Sequence, residues 1–189
     1  MGQEVFDIHD YLIERCKSGD AIAQEEIYRR YAKNMYNTAY RIVQHEAEAE
    51  DVLQESFLEV FTKMKEWRGD STFGAWLKRI VVNRSITQLR KRRIEFIEFE
   101  EFENVPDDSN ELYFEEIPNE LIQWIKQGIQ QLPDGYKLVL SLYLLEGYDH
   151  VEIAEILNIS ESTSKSQYLR AKEKLKMMLV QTKEYKIHL

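Results

Sequence analysis

Residues 149–160 read DHVEIAEILNIS, and this stretch predicts a helix, a turn and the start of a second helix. Asp149 can cap the first helix with Glu152 as its reciprocal partner, because each side chain reaches a backbone N–H that the first turn leaves unpaired. Asn158 tolerates the left-handed backbone that ends a helix, and Ser160 can cap the helix that follows. The pattern therefore predicts a helix-turn-helix.

The second helix of this motif is expected to carry a basic, hydroxyl-rich face. Its outward residues are Ser162, Lys165, Ser166, Arg170 and Lys172, and Glu161 is the only acid in its first turns. Its buried residues are expected to be Tyr168, Ala171, Leu175 and Met178. Amines and hydroxyls on one helix face can contact phosphates and base edges in a DNA major groove. A helical hairpin inside a bundle, with these charges simply solvated, is the alternative that the motif alone leaves open.

A second basic segment precedes this motif in the chain. Residues 78–93 contain seven basic and no acidic residues. Apolar residues recur at helical spacing through residues 72–93 and can face a core: Phe73, Trp76, Ile80, Ile86 and Leu89. Cations beside amide and aromatic groups suit single-stranded nucleic acid, whose bases are unstacked. Asn83 can be a reader of such a base or only a surface amide, whereas core packing is expected for Phe73 and Trp76.

The net charge of −9 over 189 residues is unevenly distributed. Residues 94–120 hold 11 acidic and no basic residues, whereas residues 161–189 carry a charge of +4. A chain with evenly spread negative charge would be repelled by nucleic acid. Two basic segments separated by an acidic one instead indicate that different parts of this chain have different partners.

The composition predicts an all-α protein with two small helical domains. Only seven glycines and three prolines are present, and apolar residues recur at helical spacing, as in the stripe Val52, Leu53, Ser56, Phe57, Val60 and Phe61. The domains are predicted at residues 8–93 and 121–183, joined by an acidic linker at 94–120. Cys16 is the single cysteine and no apolar stretch has membrane length, which predicts a cytoplasmic protein without membrane insertion.

Ordered motifs in both predicted domains resemble the extracytoplasmic-function (ECF, group 4) sigma factors of bacterial RNA polymerase, in the sigma-70 family. In the first domain the motifs are EDVLQESF (50–57), WRGDSTFGAWL (67–77) and IVVN (80–83). In the second they are LP (132–133), LLEGY (144–148), EIAEIL (152–157) and STSKS (162–166). The resemblance implies sigma domains 2 and 4, the latter with the helix-turn-helix. It also implies a subunit that directs core polymerase to promoters and assists promoter melting, without catalysing a reaction.

The resemblance implies a role for each charged segment. Docking on the clamp helices of the polymerase largest subunit is implied for Asp51, Gln54, Glu55 and Phe57. Contact with the −10 promoter element, with Asn83 facing an extruded base, is implied for Lys78, Arg79, Asn83, Arg84 and Arg90. Contact with the −35 element is implied for Glu161, Ser162, Thr163, Lys165, Ser166, Arg170 and Lys172. Ser164, Gln167 and Leu169 depart from the family pattern, which leaves the base preference and the phosphate contacts open.

Further partners follow from the same resemblance. The apolar face around residues 138–145 would serve as domain core and as a dock for the polymerase flap. We also expect both basic segments to be masked in the free protein, either because the two domains pack together or because an anti-sigma factor holds them. The linker would enter the polymerase channel as a mimic of nucleic acid, or would act as a spacer only.

Two other function classes remain as alternatives. A stand-alone helix-turn-helix regulator of duplex DNA would leave the motifs of residues 46–93 unused. A helical-bundle metalloenzyme lacks support, because none of the four histidines has Glu-x-x-His spacing and no phosphate-binding loop is present. We therefore expect no cofactor and no metal.

Overall fold

The computed structural model describes residues 8–92 and 119–181. The chain divides into two compact units, Met1–Ile94 and Glu95–Leu189. All regular structure in the described ranges is helical, so the predicted all-α class is confirmed. The predicted acidic linker lies outside the described residues except at its end, where Asn119 begins a helix. The bounds of the two domains stay a prediction.

The first unit is a bundle in which α2, α3 and α4 each pack against the other two, and α1 packs on α2. The helices are α1 (Ile8–Lys17), α2 (Ala21–Val43), α3 (Glu46–Lys63) and α4 (Phe73–Lys91), with a short 3-10 turn at Met64–Glu66. Their facing surfaces bury Ile27, Val60, Phe73, Leu77 and Val81. The apolar stripes that the sequence repeats every three to four residues therefore meet in one core.

Local hydrogen bonds determine where these helices begin. The Asp20 carboxylate accepts from the backbone N–H of Ile22 at 2.9 Å and of Ala23 at 3.3 Å, and so caps α2. The Thr72 hydroxyl accepts from the N–H of Ala75 at 3.2 Å and caps α4. Each cap satisfies N–H groups that have no partner inside the helix.

The second unit is built around its last helix. Its helices are α5 (Asn119–Gln130), α6 (Asp134–Leu144), α7 (His150–Leu157) and α8 (Glu161–Gln181). Helix α8 packs against each of the other three. Leu132, Leu140 and Ala171 form a buried cluster there, surrounded by Ile129, Tyr136, Tyr168 and Leu175. The orientation of α8 therefore depends on contacts with α5, α6 and α7.

The predicted helix-turn-helix is confirmed in α7 and α8. The Asp149 carboxylate accepts from the N–H of Glu152 at 2.8 Å, and the Glu152 carboxylate accepts from the N–H of Asp149 at 3.0 Å. Asn158 has the left-handed conformation, with φ 57° and ψ 50°, and ends α7. The Ser160 hydroxyl accepts from the N–H of Thr163 at 3.0 Å and caps α8.

Candidate nucleic-acid interface

Helices α3 and α4 line an open cavity of about 360 Å³. Asp51 and Glu55, which the resemblance assigns to polymerase docking, line it together with Asn83 and Arg84, which it assigns to DNA. Members of both sets therefore share one surface, and a partner that contacts Asp51 and Glu55 lies next to Asn83 and Arg84.

The Arg84 side chain crosses this cavity to two carboxylates of α3. Its Nη1 donates to Glu55 Oε2 at 2.6 Å, and its Nε donates to Glu59 Oε2 at 2.7 Å. Lys63 Nζ donates to the other oxygen of Glu59 at 2.8 Å. Hydrogen bonds from Lys63 and Arg84 hold the pKa of Glu59 below its usual range, so this carboxylate stays ionised. The sequence analysis missed Glu59, although its spacing of four residues from Glu55 places both acids on one face of α3.

Three of the residues assigned to the −10 element form a stripe on α4. Arg79, Asn83 and Arg90 are exposed, and at 100° per residue they fall within about 40° of one another on the helix. The stripe is about 16 Å long at 1.5 Å per residue, which is long enough to follow several nucleotides of a single strand. Lys78 is half-buried to one side of the stripe, and Arg84 lies about 100° from Asn83 on the side facing α3.

The aromatic residues at the start of α4 belong to the core. Phe73 is 1% exposed, and its ring centroid lies 5.4 Å from that of Tyr31, 5.9 Å from that of Trp67 and 5.8 Å from that of Trp76. The predicted core packing is confirmed for Phe73, while Trp76 is half-buried at the edge of this cluster. These ring contacts pack the start of α4 against the rest of the first unit.

Phe57, one of the residues to which the resemblance assigns polymerase docking, lies in the core of the first unit. Phe57 is 3% exposed, with its ring 4.8 Å from that of Tyr28 and 5.8 Å from that of Phe61, so it packs α3 onto α2. Leu58 is instead 68% exposed. It lies seven residues after Asp51 and four after Gln54, and so it shares their helix face.

The candidate −35 surface is the first half of α8. Glu161, Ser162 and Lys165 are exposed, and Lys165 Nζ pairs with Glu161 Oε1 at 2.7 Å. The hydroxyls are held by local bonds, since Ser160 Oγ lies 2.7 Å from Thr163 Oγ1 and Ser166 Oγ donates to the Thr163 carbonyl at 3.0 Å.

Farther along α8, the two remaining residues assigned to DNA are half-buried, namely Arg170 and Lys172. Lys172 Nζ lies 5.0 Å from the centre of the Tyr168 ring. Of the residues expected to be buried, Ala171 is fully buried, whereas Tyr168, Leu175 and Met178 are half-buried.

Two of the departures from the family pattern lie in the core of this unit. Ser164 is fully buried, and Gln167 is 2% exposed and faces Gly135 at the start of α6. Among the described residues, Gln167 Oε1 has no hydrogen-bond partner. These two side chains therefore pack in the core of the second unit and are not exposed on its surface.

His150 is a second residue that the sequence analysis missed. Its Nδ1 lies 2.9 Å from Ser164 Oγ, and its ring stacks on Tyr143 at 4.6 Å and meets Tyr168 edge-on at 5.6 Å. The contacts join α6, α7 and α8. Burial, and then the charge of Lys165, lower the pKa of His150.

The described parts of the chain, residues 8–92 and 119–181, contain no group of three or more His, Cys, Asp or Glu residues that could hold a metal ion. Within the same ranges no helix is long and apolar enough to span a membrane.

Comparison with known protein families gives a match in each unit. Residues 27–94 match Sigma-70 region 2, and residues 122–175 match Sigma-70, region 4. The chain is 29% identical over 178 residues to the ECF RNA polymerase sigma factor SigW of Bacillus subtilis. This alignment covers 88% of this chain and 94% of SigW. It is 31% identical over 171 residues to the RNA polymerase sigma-H factor of Pseudomonas aeruginosa, covering 86% and 89%. It is also 31% identical over 175 residues to the ECF RNA polymerase sigma-E factor of Escherichia coli, covering 86% and 89%.

Two solved structures have a similar fold. CnrH in complex with the cytosolic domain of CnrY aligns with a TM-score of 0.55 and 21% identity, covering 93% of this chain and 99% of CnrH. The sigma factor RpoE in complex with the anti-sigma factor NepR from Bartonella quintana aligns with a TM-score of 0.53 and 20% identity, covering 82% and 96%.

Proposed function

Because the chain belongs to the ECF sigma factors of the sigma-70 family and is an RNA polymerase sigma factor, we propose that it binds core polymerase and directs it to specific promoters. One observation carries this proposal: relatives named as sigma factors align across both units, over 86% of this chain. A stand-alone regulator would account for α7 and α8 only. The protein acts by binding, in the cytoplasm where the polymerase works, and the chemistry of RNA synthesis belongs to the polymerase.

Promoter melting is assigned to the stripe of Arg79, Asn83 and Arg90. The two arginines bind phosphates of the nontemplate strand that are several nucleotides apart, and the Asn83 amide hydrogen-bonds a base that has left the stack. Each extruded base costs a few kcal/mol, and contacts made only with the single strand offset that cost. Lys78 and Arg84 lie beside the stripe and complete the cationic surface.

Recognition of the −35 element is assigned to the first half of α8. Its N-terminal turns enter the major groove, where Lys165 and the hydroxyls of Ser162, Thr163 and Ser166 meet base edges and phosphates. Glu161 can accept from a cytosine amino group at the same edge. Arg170 and Lys172 lie one to two turns farther along and contact the DNA backbone.

Polymerase docking is assigned to an acidic face of α3 with an exposed leucine. Asp51, Gln54 and Glu55 face a basic helix of the largest-subunit clamp, and Leu58 supplies the apolar contact. On the second unit Leu144 and Leu145 are 56% and 54% exposed, and they provide the apolar dock for the polymerase flap.

Regulation by an anti-sigma factor is part of the proposal. The sigma factor RpoE of Bartonella quintana has a similar fold and is in complex with the anti-sigma factor NepR, and CnrH is in complex with the cytosolic domain of CnrY. A partner of this kind would cover the basic surfaces of both units. The linker at residues 94–120 is assigned to the polymerase channel, and this remains a prediction because residues 94–118 lie outside the described part of the chain.

The test is run-off transcription with core polymerase over a library of fragments from the source genome. We expect initiation at a discrete set of promoters only when this protein is present. Tight duplex binding by the protein alone, with no initiation in the presence of core polymerase, would favour the stand-alone regulator.

Two variants separate the assigned roles. Asn83→Ala should weaken promoter opening by about tenfold, the value of one lost hydrogen bond to a base, and leave polymerase affinity unchanged. Asp51→Lys should weaken polymerase binding while a saturating excess of polymerase restores opening. An equal loss of both activities in Asn83→Ala would contradict its role.

A further inference from the structure

We propose that Glu55 and Glu59 hold Arg84 away from DNA in the free protein, and that docking of the α3 surface on polymerase releases it. This inference rests on the proposed function and names a regulation of the same site. The protein would then bind single-stranded DNA weakly until it is seated on polymerase.

The geometry of Arg84 supports sequestration. Its guanidinium bonds to Glu55 through Nη1 at 2.6 Å and to Glu59 through Nε and Nη2, both at 2.7 Å, so all three guanidinium nitrogens are engaged. Asp51 lines the same cavity and adds further negative charge. A DNA phosphate that approached Arg84 would therefore meet carboxylates that already neutralise the guanidinium and would repel the phosphate.

The two glutamates differ in a way that suits release. The Glu55 side chain is 59% exposed and belongs to the face assigned to polymerase docking, so a cation of the partner can reach it. The Glu59 side chain is 22% exposed and also pairs with Lys63, so it keeps a cation when Arg84 leaves. Partly exposed ion pairs are weak, and a partner charge can therefore exchange with Arg84 at small cost.

The first test measures DNA affinity of the free protein by fluorescence anisotropy. The probe is a labelled 20-nucleotide single strand of mixed sequence, titrated between 50 and 200 mM salt. The variant Glu55→Ala with Glu59→Ala should bind about eightfold more tightly at 50 mM salt, and the slope of log K against log salt should steepen by about 0.7, as expected for one added phosphate contact.

Matched controls separate release of Arg84 from simple loss of negative charge. Glu46→Ala with Glu50→Ala removes two acids from α3 at the same spacing, without touching Arg84, and should leave the salt slope unchanged. Adding Arg84→Ala to the Glu55 and Glu59 variant should abolish its steeper slope. A steeper slope in the Glu46 and Glu50 control, or one that persists without Arg84, would overturn the proposal.

The second test measures the effect of Arg84→Ala on single-strand affinity of the free protein and on promoter opening by holoenzyme. Arg84→Gln serves as a milder variant, and thermal unfolding checks that both variants are folded. We expect unchanged affinity of the free protein for the single strand and about eightfold weaker promoter opening by holoenzyme at 50 mM salt. Equal effects in both states, or none in either, would refute release on docking. If wild-type holoenzyme fails to initiate at all, the proposed function itself fails, and this result is distinct from the others.

Discussion

Gln167 offers a direct test of how α8 is built, because a buried amide oxygen without a partner should destabilise the second unit. Gln167 is 2% exposed, and its Oε1 has no hydrogen-bond partner among the described residues. A buried oxygen of this kind lowers the free energy of unfolding by about 1–3 kcal/mol, whereas a hydrogen-bonded amide nitrogen raises it by about 1 kcal/mol. Met has nearly the same length and volume, so packing is largely preserved. We expect Gln167→Met to stabilise the second unit by about 1 kcal/mol.

The assay is thermal unfolding of the full chain, with hydrogen exchange of α6 and α8 peptides to assign the change to the second unit. A gain of about 1 kcal/mol corresponds to a rise in Tm of about 4–8 °C for a domain of this size. Gln127→Met is the matched control, because Gln127 is exposed and its replacement should change stability by less than about 0.5 kcal/mol.

The same variant tests whether Gln167 reads DNA. Because its side chain faces Gly135 and the core, promoter binding by holoenzyme carrying Gln167→Met should stay within about twofold of wild type, whereas loss of a base-reading contact costs about 1–3 kcal/mol. A drop in Tm together with a tenfold loss of promoter affinity would refute the assignment of Gln167 to the core.

Three further predictions concern the caps, the buried histidine and the exposed leucine. Asp149→Ala removes the bond from the N–H of Glu152 to the Asp149 carboxylate, while the backbone N–H of residue 149 can still donate to Glu152, and it should destabilise the second unit by about 1 kcal/mol, measured by urea unfolding. The folded pKa of His150 is lowered, so the unfolded chain binds the proton more readily. Stability should therefore fall as pH drops below about 6.5, and His150→Gln should flatten this part of a plot of Tm against pH. Leu58→Ser should leave Tm unchanged and weaken polymerase binding by about 1.5–3 kcal/mol in a competition titration, and unchanged affinity would remove Leu58 from the docking face.

The helix-turn-helix could be predicted from sequence because its interactions are local. The carboxylate of Asp149 and the N–H of Glu152 are three residues apart, a separation that helix geometry brings within hydrogen-bond distance in any context. The left-handed Asn158 and the Ser160 cap are local for the same reason. The helical spacing of apolar residues also predicted that Phe57 packs on neighbouring helices, and Phe57 is buried in the structure.

The sequence by itself determined the helical class, the helix-turn-helix and the two basic segments, since each follows from residue type and spacing within one or two turns. Only the tertiary structure decided which charges meet: Arg84 lies 29 residues from Glu55 and 25 from Glu59, and their pairing depends on how α3 packs against α4. The same applies to Ser164 and Gln167, whose side chains turn toward the core because α8 packs against α5, α6 and α7. Helix periodicity fixes which residues share a face, but only packing selects the neighbour that each face meets.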